Sequence, residues 1–368
     1  MKKFFALLLS LAMVLALVAC GQKDPTPDTP DTPDDPQTKV EYKVAMITDY
    51  GDITDQSFNQ TTYEACKAFA EDNSIEFSYF KPAGDNTADR VAMIEKAVDE
   101  GFNVIVMPGY AFGGAIVEAA PEFPDVKFIA LDVAAGDLLE TAVAKAGESY
   151  DYTPENWDLN KYVDMSNVYC AVYQEELCGY MAGYAAVKLG YKNLGFLGGM
   201  SVPAVVRYGY GFVQGVDAAA ADLGLTDVKL NYIYGGQFFG DADITAVMDT
   251  WYQGGTEVVF ACGGGIYTSA VDAAKKVNAK VIGVDVDQAG VIAKYAGVDG
   301  MTVTSAMKGL YPATYDTLTD VIVNGNWDKY VGKIATLGLV SGTDPEANYV
   351  QIPMGDGTQW SDSFTQDD

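Results

Sequence analysis

The chain has 368 residues, 49% of them hydrophobic, which is enough for two sizeable cores. It contains no histidine, which excludes Ser-His-Asp and Cys-His catalysis, histidine-ligated metals and histidine pH switching. Its formal net charge of −28 argues against nucleic-acid binding, because such binding needs a cationic surface that displaces counterions from phosphates. The composition does not exclude nucleophilic catalysis by lysine or catalysis by a pair of carboxylates.

The first residues, MKKFFALLLSLAMVLALVACG, have the pattern of an export signal: two lysines, an apolar run and small residues. The run ends in LVACG, which resembles the bacterial lipobox, whose cysteine receives a diacylglyceryl group before cleavage. We predict a lipoprotein signal peptide over residues 1–19 and a lipidated Cys20, since two acyl chains anchor a protein stably. An ordinary secretory signal that contains a cysteine is the alternative.

Residues 20–40 repeat proline, aspartate and threonine and offer nothing to bury, so we predict a disordered tether ahead of a folded body. The other four cysteines lie in apolar runs, and their spacing matches no zinc motif. Core packing is therefore the predicted role of Cys66, Cys170, Cys178 and Cys262.

From residue 42 the chain alternates short β-type runs with longer helical ones. Near-continuous apolar strands between helices predict parallel sheets that are covered on both faces, which is the α/β class. The predicted strands are 42–48, 75–80, 103–107, 126–131, 167–173, 193–198, 228–234, 257–261 and 280–284.

Two helices are predicted from their patterns. Val91, Ile94 and Val98 repeat at helical spacing within residues 87–100, and Gly101 is a natural stop. A longer helix is predicted over residues 203–223, although it contains three glycines, which suit close packing more than helix propensity. These glycines are Gly209, Gly211 and Gly215.

A polar, aromatic segment between residues 134 and 167 interrupts this alternation, and we predict that it connects two doubly wound lobes. Ligands of such sheets bind beyond the carboxyl ends of the strands, so two facing lobes predict a hinged clamp. The expected lobes are residues 41–166 with 305–329 and residues 167–304 with 330–354, followed by a flexible tail over residues 355–368. The interlobe crossings are expected near residues 165, 304 and 330.

Asp49, Asp132 and Asp285 each fall at the end of a predicted strand. A lone aspartate at such a place usually caps a helix or a turn. Three of them at equivalent strand ends, together with glycine clusters at 198–199 and 263–265, favour a pocket for a small polar ligand with hydroxyl groups or ring nitrogens. A buried carboxylate that accepts hydrogen bonds from a sugar diol discriminates strongly against analogues without them.

The stretch ITDYGDITDQSFNQ, residues 47–60, combines aspartates, turn residues and an aromatic side chain. It lacks the residue order of a calcium loop. Its first two aspartates could form a hydrolytic pair, but neither their separation nor an activating base follows from the sequence. We expect Asp52 and Asp55 to hold the loop and Ser57 to cap the first helix, while Phe58 packs inward or stands in the cleft.

Five segments, in order along the chain, resemble the basic membrane protein family of bacterial lipoproteins: DYGDITDQSFNQTTYEA, VYQEELCGYMAGYAA, LGFLGGMSVPAVVRYGYGFVQGV, VIGVDVDQ and TSAMKG. The resemblance covers residues 42–354. It implies a type I periplasmic-binding-protein fold, in which two doubly wound parallel-sheet lobes are joined by a three-crossing hinge. The best-understood members of this family are purine nucleoside receptors, the substrate-binding subunits of nucleoside-type ABC importers.

The resemblance also implies which residues bind the nucleobase. In family members two phenylalanines sandwich the base, and the matching residues here are Phe58 and Phe238. If the alignment shifts by one residue, Phe239 takes the place of Phe238. The side chains implied for the edge of the ring are Asp49, Asn59 and Asp132.

For the ribose, the resemblance implies Asp285, Lys308 and a glycine backbone group at Gly264. The chain departs from the family where relatives often carry a lysine after the Gly-x-Phe pattern, because FGDADITAV contains none. Three tyrosines at the predicted rim could change ring selectivity, so the preference for purines is implied by the family alone. These tyrosines are Tyr50, Tyr110 and Tyr267.

We therefore expect a binding protein, lipid-anchored through Cys20 on the extracytoplasmic face of the cell membrane, that passes a nucleoside to an ABC importer permease. It is expected to be a monomer, to need no cofactor or metal, to bind no nucleic acid and to break no bond. The alternatives are a sugar or autoinducer binder of the same fold, a carboxylate-dependent nucleoside or glycoside hydrolase, and a surface protein with a protein partner.

Overall fold

The computed structural model describes residues 41–364 of the chain. The predicted signal peptide, the lipidated Cys20 and the tether lie outside the described residues. Within the described range, short strands alternate with helices, as the α/β prediction requires. None of the helices found there is long and apolar enough to cross a membrane.

All nine predicted strands are present, with ends within one residue of those expected, and β10, β11 and β12 were not predicted. The strands are β1 Lys43–Ile47, β2 Glu76–Phe80, β3 Val104–Pro108, β4 Lys127–Leu131, β5 Val168–Tyr173, β6 Asn193–Gly198, β7 Lys229–Tyr234, β8 Val258–Cys262, β9 Lys280–Asp285, β10 Thr302–Lys308, β11 Ile334–Leu337 and β12 Val350–Gln351. The α-helices are α1 Phe58–Asn73, α2 Thr87–Asp99, α3 Gly113–Ala119, α4 Ala135–Lys145, α5 Leu159–Tyr162, α6 Glu175–Lys188, α7 Pro203–Asp222, α8 Ala242–Gln253, α9 Tyr267–Val277, α10 Ala289–Ala296 and α11 Leu310–Leu318.

Two six-stranded sheets form the two lobes. The first sheet has the order β11-β5-β4-β3-β1-β2, and the second has the order β12-β10-β9-β8-β6-β7, in which β12 runs antiparallel to β10. If strands are numbered within each lobe, the first five follow the same order, 2-1-3-4-5, in both sheets. The strand order reverses beside β1 in the first lobe and beside β6 in the second, which confirms two doubly wound lobes.

Two strands belong to a different lobe from the predicted one. Val168 of β5 pairs with Phe128 of β4, and Ile334 of β11 pairs with Cys170 of β5, so both strands complete the first sheet. The predicted boundaries placed them in the second lobe and placed the end of β10 in the first. An apolar strand followed by a helix has the same sequence pattern in either sheet, and only the pairing reveals its lobe.

The chain passes between the lobes after β5, after β10 and between β11 and β12, rather than near residues 165, 304 and 330. The three crossings are joined by backbone hydrogen bonds. Gln174 donates to Leu337, Tyr349 donates to Gly338, and Gly309 donates to Tyr349, at N–O distances of 2.7 to 3.0 Å. The hinge is therefore a narrow bundle of three hydrogen-bonded segments.

Two further segments differ from their predictions. Residues 134–167 do not connect the lobes, because they form α4 and α5 and lead into β5 of the same lobe; Asn167 donates to the carbonyl oxygens of Ala120 and Phe123 there. Residues 355–364 were expected to be a flexible tail. Instead the Gln359 amide donates to the Val303 carbonyl at 2.7 Å, which attaches this segment to β10.

The cysteines confirm the predicted core packing. Cys66, Cys170, Cys178 and Cys262 are buried free thiols, and burial raises the pKa of each one. Burial keeps these thiols protonated, so they pack as small hydrophobic side chains.

Helices α6 and α7 pack against each other through glycines. A Cβ atom on Gly211 would overlap the carbonyl oxygen of Glu176, and one on Gly215 would overlap that of Tyr180. Gly179 of α6 meets the backbone of α7 in the same way. The glycines therefore allow two helix backbones to touch, as the sequence analysis predicted for α7.

We expect Gly215→Ala to lower the free energy of unfolding, because the new methyl group must push α6 and α7 apart, and overpacking of this kind costs about 1–3 kcal/mol. Urea unfolding measures the change. Gly290→Ala on the exposed start of α10 is the matched control, since a Cβ atom there meets no atom of the described residues within 4 Å. It should be neutral or stabilising by up to about 1 kcal/mol. Equal stability of the two variants would contradict the packing account.

Candidate functional site

A cavity of about 400 Å³ lies between the two lobes. It is located at the carboxyl ends of β1 and β3 in the first lobe and of β6 and β8 in the second, where the strand order reverses. The structure brings together there all eight residues predicted for a ligand site. These are Asp49, Phe58, Asn59, Asp132, Phe238, Gly264, Asp285 and Lys308.

Two of the aspartates occupy equivalent positions in the two lobes. Asp132 follows β4 and Asp285 ends β9, and each of these is the fourth strand of its lobe. Both residues are buried and both have a left-handed backbone, with φ of 59° and 65°. Aspartate tolerates this conformation better than most residues. The same local turn therefore delivers one carboxylate from each lobe to the cavity.

Lys308, the last residue of β10, joins these carboxylates. Its Nζ atom lies 2.5 Å from Asp132 Oδ2, 3.4 Å from Glu175 Oε1 and 3.7 Å from Asp285 Oδ1. Burial by itself would lower the pKa of this ammonium group, but the charges of the three carboxylates outweigh burial and raise the pKa above its ordinary value. Lys308 is therefore a buried cation that connects the two lobes.

Glu175 is a member of this cluster that the sequence analysis missed. It is the first residue of α6 and is fully buried, and its Oε2 atom accepts a hydrogen bond from Arg207 Nε at 2.6 Å. Burial raises the pKa of Glu175 to about 7, against the opposing effects of Lys308 and Arg207. In the sequence it looks like an ordinary acid in the first turn of a helix, so only its burial distinguishes it.

Asp49 lies two residues after the end of β1, beside the cavity, and is held by neighbouring residues. It accepts hydrogen bonds from the backbone amides of Tyr50 at 2.6 Å and Gly51 at 2.7 Å and from Asn59 Nδ2 at 3.3 Å. Burial raises the pKa of Asp49, and these donors offset part of the rise. A Cβ atom at Gly51 would overlap the Asn59 side chain, so a larger residue there would displace Asn59 from Asp49.

Asp52 and Asp55 hold the loop, as predicted. Asp55 accepts from the backbone amides of Ser57, Asn59 and Gln60 at 2.9 to 3.1 Å, and it therefore caps the start of α1. Asp52 accepts from Thr54 and pairs with Lys81. The prediction that Ser57 caps this helix is wrong, because the carboxylate of Asp55 satisfies the free amides. The hydroxyl group of Ser57 donates instead to Asp285 Oδ2 in the other lobe.

Phe58 and Phe238 come to the cavity from different lobes. Phe58 begins α1, and Lys308 Nζ lies 4.6 Å from the centre of its ring. Phe238 follows β7, and a Cβ atom on Gly199 or Gly263 would overlap its ring. Both rings are half-buried, so neither is deep in the core of its lobe. Phe239 also lines the cavity but is 60% exposed.

The predicted tyrosine rim is only partly present. Tyr50 and Tyr110 line the cavity, and the ring of Tyr50 stacks on Phe238 with centroids 6.4 Å apart. Tyr267 is not part of the cavity wall, because it begins α9 and packs in the core against Tyr295. Tyr208, which the sequence analysis missed, lines the cavity and donates to Asp285 Oδ1 at 3.1 Å.

Several polar atoms of the cavity residues have no hydrogen-bond partner within the part of the chain that the structure describes. They are Asp132 Oδ1, Asn59 Oδ1 and the hydroxyl group of Tyr50, and all three are buried. Buried polar atoms in native proteins nearly always have a partner. The cavity therefore combines aromatic rings with polar atoms that a small polar ligand can satisfy.

A cleft between two doubly wound lobes, with ligand-type side chains at both switch points, defines a two-lobed binding protein. A family model described as "ABC transporter substrate-binding protein PnrA-like" matches residues 42–343. The chain belongs to this family of ABC transporter substrate-binding proteins.

Curated relatives span most of the chain. It is 26% identical over 305 residues to the "ABC transporter nucleoside-binding protein BmpA" of Lactococcus lactis, covering 79% of this chain and 75% of that protein. It is 27% identical to the "CD4+ T-cell-stimulating antigen" of Listeria monocytogenes, covering 86% and 84%. It is 26% identical to "Basic membrane protein B" of Borreliella burgdorferi, covering 84% and 83%.

Solved structures confirm the fold. A solute-binding protein of an ABC transporter system from Aeropyrum pernix superposes with a TM-score of 0.66 at 21% identity, covering 85% of this chain and 76% of that one. A second one, from Conexibacter woesei, gives a TM-score of 0.60 at 21% identity, covering 85% and 88%. At this identity the likeness concerns the fold alone.

The buried carboxyl of Glu175 predicts a dependence of stability on pH. Because its folded-state pKa is raised from 4.5 to about 7, the folded protein binds this proton more tightly than the unfolded chain does. The contribution of Glu175 is fully present below about pH 4.5 and is lost as the pH rises through about 7. In Glu175→Gln the decline of the unfolding free energy over this interval should be shallower.

Urea unfolding at several pH values between about 4.5 and 7.5 measures this slope. Glu118→Gln, on the exposed surface of α3, is the control for the loss of one carboxyl group. Identical slopes in the wild type and in Glu175→Gln would refute a raised pKa at this position.

Proposed function

We propose that this chain captures a nucleoside between its lobes and delivers it to the permease of an ABC importer. The observation that carries the proposal is the pairing, in one cavity, of a phenylalanine from each lobe with buried carboxylates and a buried lysine. A nucleoside has the matching chemistry, since it joins a flat heterocycle to a hydroxylated pentose. The relative from Lactococcus lactis is named a nucleoside-binding protein, which supports the assignment.

In this proposal Phe58 and Phe238 stack on the two faces of the base. Stacking on an aromatic side chain contributes about 1–3 kcal/mol per base and tolerates different bases. Asn59, Asp49 and Asp132 address the edge of the ring. The Oδ1 atoms of Asn59 and Asp132, which have no partner in the described part of the chain, are suited to accept hydrogen bonds from ring nitrogen or amino groups.

The pentose hydroxyls would be bound by Asp285, Lys308 and the backbone at Gly264. Lys308 donates, and Asp285 accepts, so together they match a hydroxyl that must do both. Gly264 lies in the loop after β8 with φ of 48°, next to the backbone of Phe238. The same loop would therefore position the aromatic ring and contact the pentose.

We also propose that the protein breaks no bond. The carboxylates that could serve as acid or base already have fixed partners: Asp132 pairs with Lys308, while Asp285 accepts from Ser57 and Tyr208. A hydrolase would release free base, so chromatography after incubation with inosine or adenosine tests this point. Only intact nucleoside is expected, and the appearance of hypoxanthine or adenine would refute it.

We propose that Cys20 carries a lipid that holds the protein on the outer face of the cell membrane. The LVACG sequence and the names of archaeal relatives, such as an uncharacterized lipoprotein of Pyrococcus abyssi, support this anchor. Cys20→Ser should abolish incorporation of labelled fatty acid, and continued labelling would contradict the proposal. A monomer is sufficient for the proposed function, because the described cavity is formed within a single chain.

Calorimetry on the mature lipidated protein in detergent, with inosine, adenosine, free bases and ribose as ligands, tests the nucleoside proposal. Phe58→Ala and Phe238→Ala should each weaken nucleoside binding by about tenfold or more, because each loses one stacking face, and a loss of about 1.4 kcal/mol, within the range of roughly 1–3 kcal/mol, is already tenfold. Phe239→Ala should have a smaller effect, since this ring is 60% exposed. Tyr152→Ala, at a 74% exposed position away from the cavity, is the control for loss of an aromatic ring.

Unchanged affinity in both Phe58→Ala and Phe238→Ala would end the stacking account. Tight binding of free ribose, with no gain from a base, would instead favour a sugar-binding protein of the same fold.

A further inference from the structure

The two lobes are also joined directly, beside the cavity. Ser57 Oγ donates to Asp285 Oδ2 at 2.5 Å, and Gln288 Nε2 donates to the carbonyl oxygen of Gln56 at 3.2 Å. Gln56 and Ser57 belong to the first lobe, and Gln288 belongs to the second. None of these three residues lines the cavity. Both hydrogen bonds therefore connect the lobes through protein atoms alone.

On the side of the first lobe, the contact is made by a constrained corner before α1. Gln56 has a left-handed backbone, with φ of 57°, a conformation that is strained for a residue other than glycine. Its amide and its side chain both donate to Gln60 Oε1, at 3.1 and 2.7 Å. Because Asp55 caps the helix, the hydroxyl group of Ser57 is not needed for capping. Strain is thus stored where the first lobe meets the second.

On the side of the second lobe, the groups that make the contact are held in place by hydrogen bonds within that lobe. Gln288 is fully buried. Its side-chain Oε1 atom accepts from the backbone amide of Val284 at 2.9 Å, and its backbone amide donates to Ser305 Oγ at 3.1 Å. Asp285 is held independently by Tyr208. The donor and the acceptor that face Gln56 and Ser57 are therefore fixed by bonds within their own lobe.

We propose that Ser57 and Gln288 form an interlobe latch that sets the closed fraction of the empty protein and the residence time of its ligand. A hydrogen bond to a buried carboxylate is among the stronger ones in proteins. A bond made only in the closed form raises the closed population before any ligand binds, and it must break before the ligand leaves. This proposal extends the proposed function. It requires that the two lobes open and close, but it does not require that the ligand is a nucleoside.

The latch can be tested without a ligand by measuring the interlobe distance. Spin labels at Lys145→Cys on α4 and Lys275→Cys on α9 place one probe on each lobe, at exposed positions. The four cysteines of the described residues are buried, which slows their reaction with the label relative to the two exposed sites. Pulsed electron paramagnetic resonance on the full lipidated chain in detergent then gives the distance distribution of the empty protein.

Ser57→Ala should raise the ratio of open to closed protein about tenfold, because an interlobe hydrogen bond to a buried carboxylate is lost. Ser57→Thr keeps the hydroxyl group and should restore the wild-type distribution. Ser269→Ala is the matched control, since this buried hydroxyl bonds to Asp241 and Thr245 within the second lobe. With inosine as the probe ligand, we expect inosine to dissociate about tenfold faster from Ser57→Ala than from the wild type. When saturated with inosine, the variant should show the same interlobe label distance as the closed wild type.

The proposal is overturned if the empty wild type and the empty Ser57→Ala variant give the same distance distribution, or if Ser269→Ala opens the protein as much as Ser57→Ala does. A failure of inosine to bind would refute the nucleoside assignment and leave the distance test of the latch intact. The two failures are therefore distinguishable.

Discussion

The site depends on one buried cation. Lys308 holds its ammonium group within 3.7 Å of carboxylates from three places: Asp132 in the first lobe, Asp285 in the second, and Glu175 directly after the first crossing. Removing one charge from such a buried group leaves the others uncompensated, which is strongly destabilising. The lysine is itself the last residue before the second crossing, so the same side chain organises the hinge and the cavity.

Equivalent parts of the two lobes supply complementary halves of the site. Asp132 and Asp285 follow the same strand of a repeated topology with the same left-handed turn, yet they differ in their partners. Asp132 has one oxygen that no donor among residues 41–364 reaches, whereas Asp285 accepts from Ser57 and Tyr208. A repeated local structure with different partners therefore gives two carboxylates with different surroundings, of which Asp285 is bonded across the lobes to Ser57.

The elements that the sequence predicted best depend on local patterns. The strand-end aspartates were predictable because apolar strands mark their own ends, and the carboxyl ends of parallel strands meet along one edge. Phe58, Phe238 and Lys308 were predictable only through the family resemblance, since each has an ordinary structural explanation in isolation. What could not be predicted was long-range pairing, such as the membership of β5 and β11 in the first sheet and the role of Ser57, whose hydroxyl group reaches a residue 228 positions away.

In the proposed function, a nucleoside lies between the phenylalanines of the two lobes while its pentose is bound at the Lys308 cluster. A crystal structure of the chain with inosine tests this claim most directly. We expect the base between Phe58 and Phe238 and the ribose hydroxyls within hydrogen-bonding distance of Asp285 and Lys308. A ligand bound elsewhere, or one whose base is turned away from both rings, would contradict it.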